Sequence, residues 1–146
     1  MNETIQYNAI NKPSEIQKAK IVDFLFTHLG EYGDPKKDIL KAIEYAIKSF
    51  ASFGGFVLTV EENDEIKGAV VINQTGMGGY IPENILVYIA VHDTMRGKGI
   101  GKLLMSRAIE YTQGDIALHV EAKNPAKKLY EKLGFTNPYL EMRLKK

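Results

Sequence analysis

Apolar positions recur along this chain at two spacings, every third or fourth residue and every second, and the switches between them divide it into alternating helices and strands. Thr4 to Ile10 alternates weakly and predicts a first strand. Pro13-Ser14-Glu15 then opens a helix that directs Ile16, Ala19, Val22 and Phe26 toward a core, and Gly30 to Gly33 breaks it. A second helix starts at Asp34-Pro35, with Ile39, Ala42, Ile43, Ala46, Ile47 and Phe50 at i, i+3, i+4, i+7, i+8 and i+11. Gly55 to Val60 and Ile66 to Asn73 flank Glu62-Asn63-Asp64-Glu65 and predict an antiparallel hairpin, and Thr75-Gly76-Met77-Gly78-Gly79 makes a loop beyond it.

Ile85 to Val91 is almost wholly apolar rather than alternating, which predicts a strand covered on both faces and placed mid-sheet. A helix with Ile100, Leu103, Leu104, Arg107, Ala108 and Tyr111 along one side leads to Ile116 to Glu121, and strand, helix, strand in that order implies a parallel pair. Asn124 is a good N-cap, Pro125 suits a first helical position, and Ala126, Leu129, Tyr130 and Leu133 share one helical face that Gly134 closes. Tyr139 to Leu144 reads as a last, exposed strand that could pair across a homodimer. The order β-α-α-β-β-β-α-β-α-β predicts one α/β domain with a mixed sheet over residues 1–146, with no linker, repeat or low-complexity tract.

Composition narrows the function. The 146 residues suit one domain, and 19 basic against 18 acidic side chains leave a formal charge of +1, which gives no electrostatic argument for nucleic acid or an anionic membrane as partner. The absence of cysteine excludes disulfides, a thiol nucleophile and thiolate metal sites, and fits a reducing compartment. Met1 to Thr4 lacks a basic run leading into an apolar one, and no segment approaches membrane-spanning length, so a cytoplasmic protein is expected. His28 and His92 stand far apart in sequence, and no His, Asp or Glu spacing resembles a metal site, so none is expected.

The run Arg96-Gly97-Lys98-Gly99-Ile100-Gly101 lies between the apolar strand and an amphipathic helix, where glycines let backbone N–H groups approach an anion and the helix start adds unpaired donors. It is no P-loop, which would need a glycine at Arg96 and a hydroxyl at Leu103. It is no dinucleotide fingerprint either, since Gly97, Gly99 and Gly101 are evenly spaced and Lys102 stands where the last glycine belongs. What remains is R-x-x-G-x-G after a strand; alone, a glycine-rich turn with solvated basic residues would look the same. Downstream runs Leu118-His119-Val120-Glu121-Ala122-Lys123-Asn124-Pro125-Ala126-Lys127-Lys128-Leu129-Tyr130-Glu131-Lys132-Leu133-Gly134-Phe135, a strand, Asn, Ala, then Tyr ahead of Leu-Gly-Phe. Both motifs, in this order, resemble the GNAT superfamily of N-acetyltransferases, and the order of elements matches that family over nearly the whole chain.

The resemblance implies a GNAT-like, mostly antiparallel central sheet flanked by helices, and acetyl-CoA as co-substrate. Backbone groups of Ile89, Ala90 and Val91 would pair with the pantetheine arm, amides from Gly97 to Lys102 (Gly97, Lys98, Gly99, Ile100, Gly101, Lys102) would hold the pyrophosphate behind Arg96, and Asn124 would touch the arm. Tyr130 corresponds to the general acid that protonates the leaving thiolate. Glu83 is the first candidate for the base, although members with a glutamate in this region often carry it at the position of Ile85. His119 and Glu121, on one face of the following strand, are alternatives. Tyr32 and Tyr80, with His119 and Glu121, would line the acceptor pocket for a small-molecule amine or a peptide amine. Protein N-terminal or lysine acetylation and a non-catalytic acyl-CoA sensor remain as readings. A nucleic-acid module built on Lys98, Lys102, Lys127 and Lys128 is disfavoured by Asp115, Glu121 and Glu131 nearby.

Overall fold

In a computed structural model, which describes residues 3–146, the chain forms strands β1 (Thr4–Tyr7), β2 (Gly55–Glu62), β3 (Glu65–Gln74), β4 (Asn84–Val91) and β5 (Ile116–Leu118), with helices α1 (Glu15–Leu29), α2 (Lys36–Ala46), α3 (Ile100–Tyr111) and α4 (Lys127–Lys132). Met1 and Asn2, the start of the segment in which no leader is expected, lie outside the described residues. The strands follow chain order in one sheet, antiparallel from β1 to β4 and parallel between β4 and β5, so the sheet is mixed, as the patterning predicts, and mostly antiparallel, as the resemblance implies.

Local chemistry sets most element ends. Ser14 and Gln17 form a reciprocal capping box at the start of α1, with Ser14 Oγ accepting from Gln17 N–H at 3.1 Å and Gln17 Oε1 accepting from Ser14 N–H at 2.8 Å. β1 stops at Tyr7, short of Ile10, because Asn8 Oδ1 accepts from the N–H groups of Ile10 and Asn11 and bends the chain into a turn. The hairpin between β2 and β3 closes on Asn63 and Asp64, both at positive φ (53° and 61°), the two-residue geometry that matches strand twist.

Other ends differ from the expected ones for tertiary reasons. The buried side of α1 is Lys18, Ile21, Val22, Phe24 and Leu25, whereas Ile16 (72% exposed), Ala19 and Phe26 face solvent. Two overlapping apolar stripes compete on this helix, and the sheet takes the denser one. Lys18, at the stripe's edge, extends its ammonium to Glu15 and Glu44, each at 3.2 Å. α2 buries Ile39, Ile43 and Ala46 and ends before Lys48 at φ 58°, which leaves Phe50 outside the helix and exposed. In α3 the buried residues are Ile100, Leu104, Met105 and Ala108, with Arg107 and Tyr111 turned outward. β5 ends at Leu118, so His119, Val120 and Glu121 fall in the loop beyond it. No strand forms at 139–144, whose Tyr139, Leu140, Met142 and Leu144 are exposed, so the order of elements ends at α4.

The sheet divides the core in two, and a bulge in β4 sets which side its residues join. Val71 pairs with Tyr88 and Ile72 with Leu86, which leaves Val87 as an extra residue. Side chains alternate along a strand, so one extra residue inverts the alternation. Leu86 therefore packs with Ile100, Leu104, Met105 and Tyr130 on the α3–α4 face, while Tyr88, only two residues on, packs with Val22, Leu25 and Ile39 on the α1–α2 face.

α3 sits close to the sheet because β3 carries Gly68 opposite Val91. A Cβ there would lie 2.7 Å from Ile100 Cγ2 and 2.9 Å from Leu104 Cδ1, both on fully buried side chains with no room to retreat. Gly68→Ala is expected to cost about 1–3 kcal/mol in chemical denaturation, by forcing the first turn of α3 off the sheet.

Candidate active site

β4 and β5 touch at one end only. Their ladder runs Asn84–Ile116, Ile85–Ala117 and Leu86–Leu118 and then stops, while β4 continues to Val91 beside β3. The closed end is clamped by two side chains. Buried Asn84 donates from Nδ2 to the carbonyls of Gln113 (2.7 Å) and Asp115 (3.2 Å), and its N–H donates to Asp115 C=O at 3.1 Å. Glu83 Oε1 accepts from Asp115 N–H at 2.8 Å, and this bond, with the amides of Glu83 and Gly79, holds the carboxyl below the usual carboxylate range. A carboxylate stabilised as an anion is a weaker base, so Glu83, the first candidate for that role, stands in a clamp at the closed end.

At the open end β4 presents free backbone groups. His92 N–H donates to Lys67 C=O on β3 at 2.8 Å, the bond expected beside a non-hydrogen-bonded Gly68–Val91 pair. By alternation the N–H and C=O of Val91 and Ile89 point away from β3 into the gap left by β5, whereas those of Ala90 point toward β3.

The chain then enters the glycine-rich loop through a short 3-10 turn, Asp93–Met95, capped by His92 Nδ1, which accepts from Thr94 N–H at 3.2 Å. Gly97 (φ 77°) and Gly99 (φ 84°) adopt left-handed backbone, and Gly99 is the N-cap of α3. Between Gly97 and Lys102, Lys98 N–H donates to Met95 C=O at 3.3 Å, and the remaining five amides have no backbone partner among the described residues. Gly101 differs in kind: its backbone is helical, and a Cβ there would meet Val91 Cγ2 at 3.6 Å and Leu129 Cδ2 at 3.5 Å, so β4, α3 and α4 converge on it. Arg96 turns back, donating to His28 C=O at 3.3 Å and pairing with Asp93 at 3.1 Å.

α4 is anchored by Asn124, although not as the N-cap of its α-helical part. Asn124 Oδ1 accepts from Ala126 N–H at 2.9 Å and begins a tight turn that becomes α-helical at Lys127. Pro125 therefore lies in this turn, before the helix. Tyr130 is buried among Leu86, Ile100 and Leu104, its ring 5.9 Å from that of Phe135. Burial pushes its hydroxyl up to about 12, and the hydroxyl makes no hydrogen bond among the described residues.

Across β4, Tyr88 Oη donates to Asp34 Oδ2 at 2.5 Å, and burial and the Asp34 carboxylate raise the phenol well above its usual value. Tyr32 lies nearby in sequence, held above its usual value by partial desolvation and by the carboxylates of Glu31 and Glu121. Lys123 spans the same gap to Glu31 at 3.9 Å. Tyr32 and Glu121 are thus brought together, whereas His119 is exposed in the loop after β5 and Tyr80 is 80% exposed on the loop before β4, at the clamped end. Sequence reasoning missed Asn84, Asp34 and Tyr88. The pairing of Tyr88 with Asp34 spans 54 positions and follows no period.

Residues 53–137 match the family described as "Acetyltransferase (GNAT) domain". A mycothiol acetyltransferase from Renibacterium salmoninarum is 32% identical over 117 residues, which take in 75% of this chain and 34% of that protein, so the chain spans about a third of that relative's length. A GNAT-family acetyltransferase from Streptococcus pneumoniae has the same fold with a TM-score of 0.70 at 13% identity, over 100% of this chain and 98% of that one. An aminoglycoside N-acetyltransferase solved with CoA gives 0.67 at 15%, over 100% and 95%.

The Glu83 clamp has a pH signature. Its folded pKa lies below the unfolded one, so its contribution is complete above the usual carboxylate pKa and is lost as pH falls through the lower folded value. Glu83→Gln is expected to melt at lower temperature than the parent at neutral pH and to converge with it in acid; thermal melts across pH check this, and a gap that persists in acid would remove the charge from the clamp.

Proposed function

This chain belongs to the GNAT acetyltransferase family, and from that premise we propose that it transfers an acetyl group from acetyl-CoA to an amine, of a small molecule or a peptide, by direct attack within one ternary complex. The observation that carries this reading is the open edge of β4, which runs without interruption into a loop of five free amides. Backbone groups seldom stay unpaired beside protein, and a linear amide-bearing arm ending in phosphates supplies partners for both parts. The CoA complex of the aminoglycoside N-acetyltransferase supports both the co-substrate and the amine acceptor.

Acetyl-CoA supplies an acyl thioester when bound. Ile89 and Val91 offer N–H and C=O groups to the pantetheine arm, and an open-edge N–H near Val91 stabilises the developing oxyanion, a contribution of roughly 3 kcal/mol per donor. The amides of Gly97 and Gly99 to Lys102 take the pyrophosphate, with Lys98 and Lys102 adding positive charge, and Asn124 borders the arm. Holding both reactants in one gap makes the attack effectively intramolecular. Tyr130 then protonates the departing thiolate; a hydroxyl at about 12 stays protonated through the working pH range, as an acid must.

Release of free CoA by the pure protein, given acetyl-CoA and pools of small amines, polyamines, amino acids and short peptides, with mass spectrometry of the products, tests the activity and identifies the acceptor class. Clear CoA binding without amine-dependent release would favour a sensor. Tyr130→Phe is expected to lower kcat by roughly a hundredfold while the Kd for CoA holds, because the lost hydroxyl acts on the leaving group. Gly99→Asp is expected to abolish CoA binding in calorimetry, since it loads a left-handed backbone position and places a carboxylate against the phosphates.

A further inference from the structure

Acyl transfer to an amine needs a route for protons, because the attacking nitrogen must shed one as the C–N bond forms. Glu83, clamped at the closed end, is poorly placed for this. We propose that Tyr88 and Asp34 form the relay that takes the proton from the acceptor amine to solvent. The inference rests on the acyl-transfer reading above and adds the base side of the reaction to it.

Three observations place the pair. Tyr88 stands two residues beyond Leu86, the last β4 residue paired with β5, and one residue before Ile89, whose backbone groups face the gap. The bulge at Val87 turns Tyr88 to the α1–α2 face, while Tyr130 packs on the α3–α4 face, so two tyrosines flank the open edge from opposite sides. An acid for the departing sulfur and an acceptor for the incoming amine's proton belong on opposite sides of the acyl carbon in the same way. Finally, Tyr88 is buried whereas Asp34, which accepts its O–H at 2.5 Å, is exposed, so one hydrogen bond joins the interior to water.

The step balances. The amine nitrogen bonds to the acyl carbon as the C–S bond breaks, and the amine proton passes to Tyr88 Oη while the proton of Tyr88 passes to the Asp34 carboxylate and on to water. The proton lost by Tyr130 to the sulfur is regained from solvent. Burial and the carboxylates of Asp34 and Asp38 keep Tyr88 protonated, which suits a group that hands a proton on in a concerted step and never stores a negative charge.

A bond that merely staples the linker before α2 to β4 would look similar, and amine basicity separates the two roles. The experiment measures kcat/KM of the parent, Asp34→Asn and Tyr88→Phe with acetyl-CoA and primary amines graded from benzylamine to 2,2,2-trifluoroethylamine at one pH, with calorimetric CoA binding on each protein. Asp34 is exposed, so its variant reports even if Tyr88→Phe folds poorly. A relay predicts a loss of roughly a hundredfold on benzylamine that shrinks on the weakly basic amine, whose nitrogen once it has attacked is acidic enough to lose its proton to water directly, with CoA binding unchanged. Equal losses along the series, or no loss, would overturn the relay while leaving acetyl transfer intact. A parent protein that binds CoA yet acetylates neither this series nor the pools of amines and peptides above would instead fail the acyl-transfer reading itself, and the relay with it.

Discussion

Backbone hydrogen bonding along β4 is the constraint on which the rest of the structure depends. A strand inside a sheet needs partners on both sides, and β4 has β3 along its length but β5 only from Asn84 to Leu86. That asymmetry is enforced at the closed end by Asn84 and Glu83, whose bonds to residues 113–115 fix β5 where it meets β4. Past Leu118 the chain leaves the sheet, since a segment without a ladder partner has no reason to stay extended. The open edge that results is the feature a bound chain with its own amides would complete.

Around that edge the two faces of the sheet are unlike. The α3–α4 face is apolar, and Tyr130 sits among Leu86, Ile100 and Leu104. The α1–α2 face also has an apolar floor, but beside Tyr88 it meets the linker before α2 and that helix's first turn, where Asp34 and Asp38 bring carboxylates close to β4. The single extra residue at Val87 puts Tyr88 on this second face, because without it Leu86 and Tyr88 would share a face. Tyr130 thus places a buried phenol on one side of the strand, and Tyr88 meets an exposed carboxylate on the other.

Legibility in the sequence followed the range of the interactions. The hairpin at Asn63-Asp64, the helix start at Ser14 and the amphipathic α2 depend on residues within a few positions of each other, and each was readable, whereas Asn124 was read as the N-cap of a helix that begins only at Lys127. The glycine-rich loop was readable for the same reason, since left-handed backbone at Gly97 and Gly99 is a local demand. The buried side of α1 was misjudged because two stripes overlap and only the sheet chooses between them. A last strand at 139–144 followed from alternation alone, yet that segment meets no sheet edge. Glu83 drew a catalytic reading from its position before the apolar strand, and the amide that occupies it comes from residue 115.

By itself, the sequence determined the class of fold, the order of elements up to α4, the loop of free amides and the tyrosine-bearing helix, because periodicity, turn chemistry and short motifs encode these in neighbouring residues. Only the tertiary structure decided where β5 lets go of β4, which way the strand's free groups point, and that Tyr88 meets Asp34. Those depend on one extra residue in a ladder and on contacts between segments 30 to 54 positions apart, such as Glu83 with Asp115 and Asp34 with Tyr88, which no local pattern records.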